Sequence, residues 1–175
     1  MKKGKLTAVI PARGGSIRLK NNEEPLMALP VVLDCTLRDG GYYNAWDFDK
    51  KIVGAYIEAT NNLPIDYIEV GYRNTPQKEY LGKYGYCPVY ELAAIRKKSN
   101  KKMAVMVNEK DVTPADLSVL LDPITGLVDM VRVAVDPENF DRALILGREI
   151  RNRGFTVSFN GMYMSKWHEY DGFYD

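Results

Sequence analysis

Cysteine is scarce: Cys35 and Cys87 are the only two in 175 residues, far apart and without a CxxC spacing. That excludes a dense disulfide scaffold and a CxxC redox or zinc site. It suits a reducing compartment, so a cytoplasmic location is expected. Neither charge sign is in excess, with 24 Lys and Arg against 23 Asp and Glu. The chain therefore offers no large field to gather nucleic acid or an anionic membrane surface, and a small-molecule partner is the expectation. Long apolar runs are also missing. Leu6 to Ala12 is short and broken by Pro11, which makes neither a membrane span nor a signal peptide. No GxGxxG motif follows the first apolar run. What is abundant is core material: 46% hydrophobic residues beside 27% charged ones describe a globular protein.

The organisation changes near Pro30. Residues 1–29 form a basic, glycine-containing segment, and residues 30–175 alternate short apolar runs with longer stretches of helical period. The runs Val31–Leu37, Tyr67–Tyr72, Met103–Val107, Met130–Val135 and Phe155–Phe159 read as strands. Between the first two, Ile52, Val53, Tyr56, Thr60 and Leu63 recur at helical spacing, with Asp47 or Asp49 as N-cap and Pro64 just beyond the end. Further helices are predicted over Pro88–Lys98, Pro114–Leu121 and Pro137–Arg153. In the last of these Phe140, Leu144, Gly147 and Ile150 share a face, and Gly154 supplies the stop. Strand–helix repeats without hairpin signals imply an α/β fold with parallel strands. An open doubly wound sheet fits the same pattern, and the missing glycine fingerprint tilts the choice toward a barrel.

The richest stretch is Leu33-Asp34-Cys35-Thr36-Leu37-Arg38-Asp39-Gly40-Gly41-Tyr42. Strand alternation sends Asp34, Thr36 and Arg38 to the barrel interior and Leu33, Cys35 and Leu37 toward the helices. Polar groups then collect at the C-terminal end of the first strand, where barrel enzymes place their chemistry. The competing reading is a structural Asp39–Arg38 ion pair beside a glycine turn.

LDCTLRDGGY resembles the signature of the metal-dependent aldolase and metallolyase superfamily of (β/α)8 barrels. That superfamily includes 4-hydroxy-2-oxovalerate aldolase, hydroxymethylglutaryl-CoA lyase and isopropylmalate synthase. The context agrees: Trp46-Asp47-Phe48, a helix, and Ile68-Glu69-Val70-Gly71-Tyr72 as a second strand follow. The resemblance implies carbon–carbon bond cleavage or formation on a 2-oxo acid. It also implies that Arg38 stabilises the enolate or oxyanion and that Asp39 ligates a divalent metal, Mn²⁺ or Mg²⁺. Those residue types suit that chemistry. A guanidinium stays charged and offers a fixed fork of donors, and a carboxylate is a hard ligand for a hard ion.

The same family completes its metal site with a His-x-His pair on a later strand, whereas this chain has a single histidine, His168, read here as a loop residue. A whole barrel needs roughly 200 residues or more. Missing strands and missing histidines together imply a barrel truncated after about five strands, active only with a C-terminal half or in an assembly. The alternative is a non-catalytic barrel fragment that works through a partner.

Other interior positions follow from strand parity. Glu69 and Arg132 interrupt apolar strands, either as a structural pair or as groups placed for a ligand. Thr36, Asn108 and Asn160 lie near strand C-termini, where they could hold substrate oxygens. Tyr42, Tyr43 and Tyr72 could supply a phenol, though with twelve tyrosines none stands out. Separately, Ala8-Val9-Ile10-Pro11-Ala12-Arg13-Gly14-Gly15-Ser16 resembles the opening strand and nucleotide-binding loop of the acylneuraminate cytidylyltransferases. Ile17 stands where that family has lysine, and the segment is read as a remnant or an arm, with nucleotidyl transfer a minor alternative.

Overall fold

Parallel pairing in simple chain order is what strand–helix repeats require, and it is what the structure has. A computed structural model describes residues 30–169. Five strands run in the order β1-β2-β3-β4-β5: Leu33–Asp34, Tyr67–Tyr72, Lys102–Asn108, Met130–Val135 and Thr156–Gly161. Every neighbouring pair is parallel, and the sheet curls into half of a barrel. Residues 1–29, with the cytidylyltransferase-like segment, lie outside the described residues. Among the described residues no helix is long and apolar enough to cross a membrane.

The helices cover one face of the sheet. They are α1 Thr36–Gly40, α2 Lys50–Asn61, α3 Lys83–Tyr86, α4 Val89–Arg96, α5 Leu117–Leu121 and α6 Phe140–Asn152. Asp49 caps α2 by accepting from Lys51 N at 2.7 Å. Its buried face is Val53, Ile57 and Thr60, while Ile52 and Leu63, expected on that face, are exposed. The predicted third helix begins as a 3₁₀ turn, Pro114–Asp116, closed by a capping box between Thr113 and Asp116, before α5. In α6 the residues turned inward are Ala143, Leu146, Gly147 and Ile150, and Gly154, at φ +91°, lets the chain turn back into β5.

Strand parity divides the core. Ile68, Val70, Met103, Val105, Val107, Val131, Val133 and Val135 pack under the helices. Leu33, Tyr67, Ala104 and Met130 form a smaller cluster on the concave face. Above that cluster, toward the strand C-termini, the concave face turns polar.

The first strand departs from expectation. It spans Leu33–Asp34 rather than continuing to Leu37, because Asp34 redirects the chain: its carboxylate accepts from Thr36 N at 3.0 Å and Thr36 Oγ1 at 3.1 Å. This Asx-type turn competes with the sheet ladder and starts α1. Parity is thereby inverted at the strand. Leu33 lies beside Tyr67 on the concave side, and Asp34 takes the Tyr56 hydroxyl of α2 at 2.6 Å. Helical geometry then separates Leu37, buried in the main core, from Arg38, which reaches the concave side.

Gly71 marks a second irregularity. Glu69 lies beside Ala104 but Gly71 beside Val105, so the strand bulges between them. A Cβ on Gly71 would fall 2.0 Å from the Tyr84 carbonyl oxygen of α3. Gly71→Ala should therefore destabilise the fold by roughly 1–3 kcal/mol through overpacking against backbone. Gly54→Ala, inside α2 with nothing within 4 Å of the added carbon, should stabilise it by roughly 0.5–1 kcal/mol. Urea unfolding of the two variants checks the opposite signs.

Candidate active site

Three elements bring charge to the polar end of the concave face. Arg38 arrives from α1, Glu69 from β2 and Arg132 from β4. Arg38 Nε donates to Glu69 Oε2 at 2.9 Å, and Arg132 Nη1 donates to the same oxygen at 2.9 Å. Arg132 Nη2 continues to Asn160 Oδ1 of β5 at 2.8 Å. Arg38 Nη1 also pairs closely with the neighbouring Asp39 carboxylate. Glu69, fully buried, therefore neutralises parts of two guanidinium groups, and Asp39, half exposed at the rim, supplies the second negative charge. Two cations and two anions balance, which a desolvated cluster needs.

This balance keeps Arg38 charged. Burial pulls its pKa down, but the charge and hydrogen bond of Glu69 outweigh that and leave it above the ordinary arginine value. The cluster is not saturated. Glu69 Oε1, Arg132 Nε and Ser158 Oγ are all buried without a partner, and Arg132 and Ser158 are register neighbours on β4 and β5. Unsatisfied polar atoms at this depth are costly unless a ligand or water completes them.

Backbone packing fixes the arginine. Trp46 Nε1 donates to the Arg38 carbonyl at 2.8 Å, and its ring lies directly over Gly41, where a Cβ would come within 2.0 Å of the indole. The turn delivering the indole is strained, with Ala45 at φ +51° and Trp46 at φ +58°. The second glycine of the RDGG motif is thus a packing requirement of the tryptophan. Tyr42 and Tyr72 meet the same indole edge-on at 4.7 and 5.4 Å, and their hydroxyls lie 2.8 Å apart.

Of the residues expected at the site, the structure joins Arg38, Asp39, Glu69, Arg132 and Asn160 in one connected chain. Two stand apart. Thr36 is exposed and bonds to Asp34, in a turn rather than on the strand interior where parity placed it. Asn108 ends β3 but donates to Asp111 at 3.0 Å, outside that chain. His168 is exposed in the 3₁₀ turn Met164–Glu169.

Sequence reasoning missed Ser158, Trp46 and the selection of Tyr72. Simple alternation puts Tyr72 on the helix side with Val70, whereas the bulge at Gly71 brings it beside Met106, on the side of Glu69. A glycine inside an otherwise apolar strand was the available signal. Arg73, also missed, is structural. It donates to the carbonyls of Leu120, Tyr86 and Cys87, and burial without a carboxylate lowers its pKa.

Among the described residues no group of three His, Cys, Asp or Glu side chains converges to hold a metal. Asp39 is an exposed carboxylate able to provide one hard ligand, so the described residues do not make a metal site by themselves. Its neighbour Cys35 donates its thiol to Asp39 Oδ2 at 3.0 Å. Burial and that hydrogen bond push the thiol up to about 11. At pH 8 the thiolate fraction is then about one in a thousand, against roughly a quarter for a free thiol. Cys35 should alkylate with iodoacetamide at least tenfold more slowly than an unfolded control, and peptide mass spectrometry over time measures this.

No protein-family model matches the chain, and no curated protein does. The chain is similar to a solved structure described as the N-terminal domain of a putative aldolase from Bacteroides vulgatus. The match has 63% sequence identity and a TM-score of 0.80, and it covers 82% of this chain and 48% of that one. The matched region thus spans about half the length of that solved chain.

Proposed function

We propose that this chain carries the front half of a (β/α)8-barrel aldolase active site, acting on a bond beside the carbonyl of a 2-oxo acid. The observation that carries the reading is the anchoring of Arg38: a charged, buried guanidinium at the C-terminal end of a parallel half-barrel, gripped at Nε by Glu69 and at Nη1 by Asp39. Among the described residues no carboxylate pairs with its remaining nitrogen, Nη2. Similarity to an aldolase domain supports the same reading.

The residues present account for part of such a reaction. Breaking a carbon–carbon bond next to a carbonyl leaves an enolate, and a cation pre-positioned in a desolvated site stabilises that oxygen without reorganising at the moment of reaction. Glu69 prevents Arg38 from swinging toward solvent, and Arg132 holds Glu69 in turn. A divalent ion, Mn²⁺ or Mg²⁺, would withdraw further charge from the carbonyl oxygen if Asp39 is joined by ligands from outside the described residues.

The test is product analysis on a full-length protein, meaning this chain joined to a C-terminal half that completes the barrel, supplied with 4-hydroxy-2-oxo acids. Pyruvate, or a longer 2-oxo acid, should appear in equal amount with an aldehyde, and EDTA should abolish both. Absence of 2-oxo acid release from every hydroxy-oxo acid tried, with Mn²⁺ or Mg²⁺ supplied, would refute the reading.

A further inference from the structure

The paired phenols beside Arg38 have a direction that donor counting determines. A guanidinium has donors only, and Arg38 Cζ lies 5.9 Å from the Tyr72 ring centroid. That contact puts the cation over the ring and gives the Tyr72 O–H no acceptor. If Tyr42 donated to Tyr72, the buried Tyr72 O–H would be left without an acceptor, whereas the exposed Tyr42 O–H needs none inside the protein. Tyr72 is only 4% exposed, and its single O–H has the Tyr42 oxygen as partner at 2.8 Å. With Tyr72 donating there, the Tyr42 oxygen is an acceptor inside the protein, and its own proton is turned away from Tyr72. Tyr42 is 63% exposed, three residues beyond Asp39 in the chain, and its ring is held edge-on by Trp46. Tyr43, 96% exposed, is not part of this chain of hydrogen bonds.

We propose that the Tyr42 hydroxyl, oriented by Tyr72, donates a hydrogen bond to an oxygen of the bound 2-oxo acid. Tyr42 contacts the substrate, and Tyr72 is a positioning residue acting through it. The inference rests on the oxo-acid reading above and names a donor that the LRDGG motif does not by itself identify. A hydroxyl that accepts a hydrogen bond is polarised by it, so the Tyr42 proton is a better donor than that of an isolated tyrosine.

The test uses pyruvate as ligand on the full-length protein with Mg²⁺ present. Trp46 serves as the fluorescence reporter in a background where every other tryptophan, Trp167 among them, is replaced by phenylalanine, since Trp46 touches both phenols. Pyruvate should change the Trp46 emission. Tyr42→Phe should raise the half-saturating concentration by roughly three- to tenfold, the loss of one hydrogen bond. Tyr72→Phe should produce most of the same loss, and Tyr43→Phe none. The double variant should bind no worse than Tyr42→Phe alone, because one residue works through the other. Wild-type affinity in Tyr42→Phe, in a protein that binds pyruvate and releases 2-oxo acid, overturns the inference and leaves the oxo-acid reading standing. Additive losses in the double variant overturn the positioning role of Tyr72. A wild-type protein indifferent to pyruvate overturns the inference, while the reading beneath it falls only if the product analysis finds no 2-oxo acid released.

Discussion

Glu69→Ala should cost the protein roughly 3–5 kcal/mol of folding stability, because it leaves two guanidinium groups facing each other without the carboxylate that both share. Both are at least nine-tenths buried and meet at one oxygen, Glu69 Oε2. Arg132→Leu should cost less. It leaves the Arg38–Glu69 pair intact, although Asn160 loses its donor. Combining Glu69→Ala with Arg132→Leu should recover part of the loss, since Arg38 keeps Asp39 and the cation left without a carboxylate is removed. Urea unfolding at neutral pH, with matched slopes across variants, measures the series. If Glu69→Ala loses less than about 1 kcal/mol, the cluster is solvated in solution and the charge is not desolvated as the geometry states.

The parallel architecture was legible because β2, β3 and β4 are covered by helices, and a buried parallel strand reads as a continuous apolar run. Met130–Val135 shows this best, with Arg132 the single interruption. The interruption was informative for the same reason: charge inside such a run must be paired, and Arg132 is paired with Glu69. Alternation failed where side chains captured the backbone or the strand bulged. Asp34 ends β1 as its second residue, and the bulge at Gly71 shifts Tyr72 to the other face. Neither event leaves a trace in hydrophobic periodicity. Each is signalled only by a residue type, an Asx before a threonine or a glycine in a strand. Thr36 was misplaced by the first effect and Tyr72 overlooked by the second. Arg38 reached its expected side through a helical turn rather than through strand parity, a correct placement reached by the wrong local geometry.

Arg38→Lys and Asp39→Asn should separate two functions that the RDGG motif places side by side. In the full-length protein, Arg38→Lys should lower turnover by roughly two to three powers of ten, the scale of losing one oxyanion donor. A lysine ammonium cannot keep the grip on Glu69 Oε2 and Asp39 together and still present a third donor, which the planar fork of arginine does. The ground-state affinity for a 2-oxo acid should change far less than turnover, since the interaction strengthens as negative charge develops. Asp39→Asn should instead act on the ion: turnover falls, and raising Mn²⁺ partly restores it. The 175-residue polypeptide on its own should turn over little, because its described residues place one carboxylate, and no group of three ligands, where an ion would sit. Single-turnover release of 2-oxo acid across a Mn²⁺ titration distinguishes the two defects. Rescue of Arg38→Lys by Mn²⁺ would place Arg38 in metal retention rather than oxyanion stabilisation, and two variants with undiminished turnover would reduce Arg38 and Asp39 to the structural ion pair that their geometry also permits.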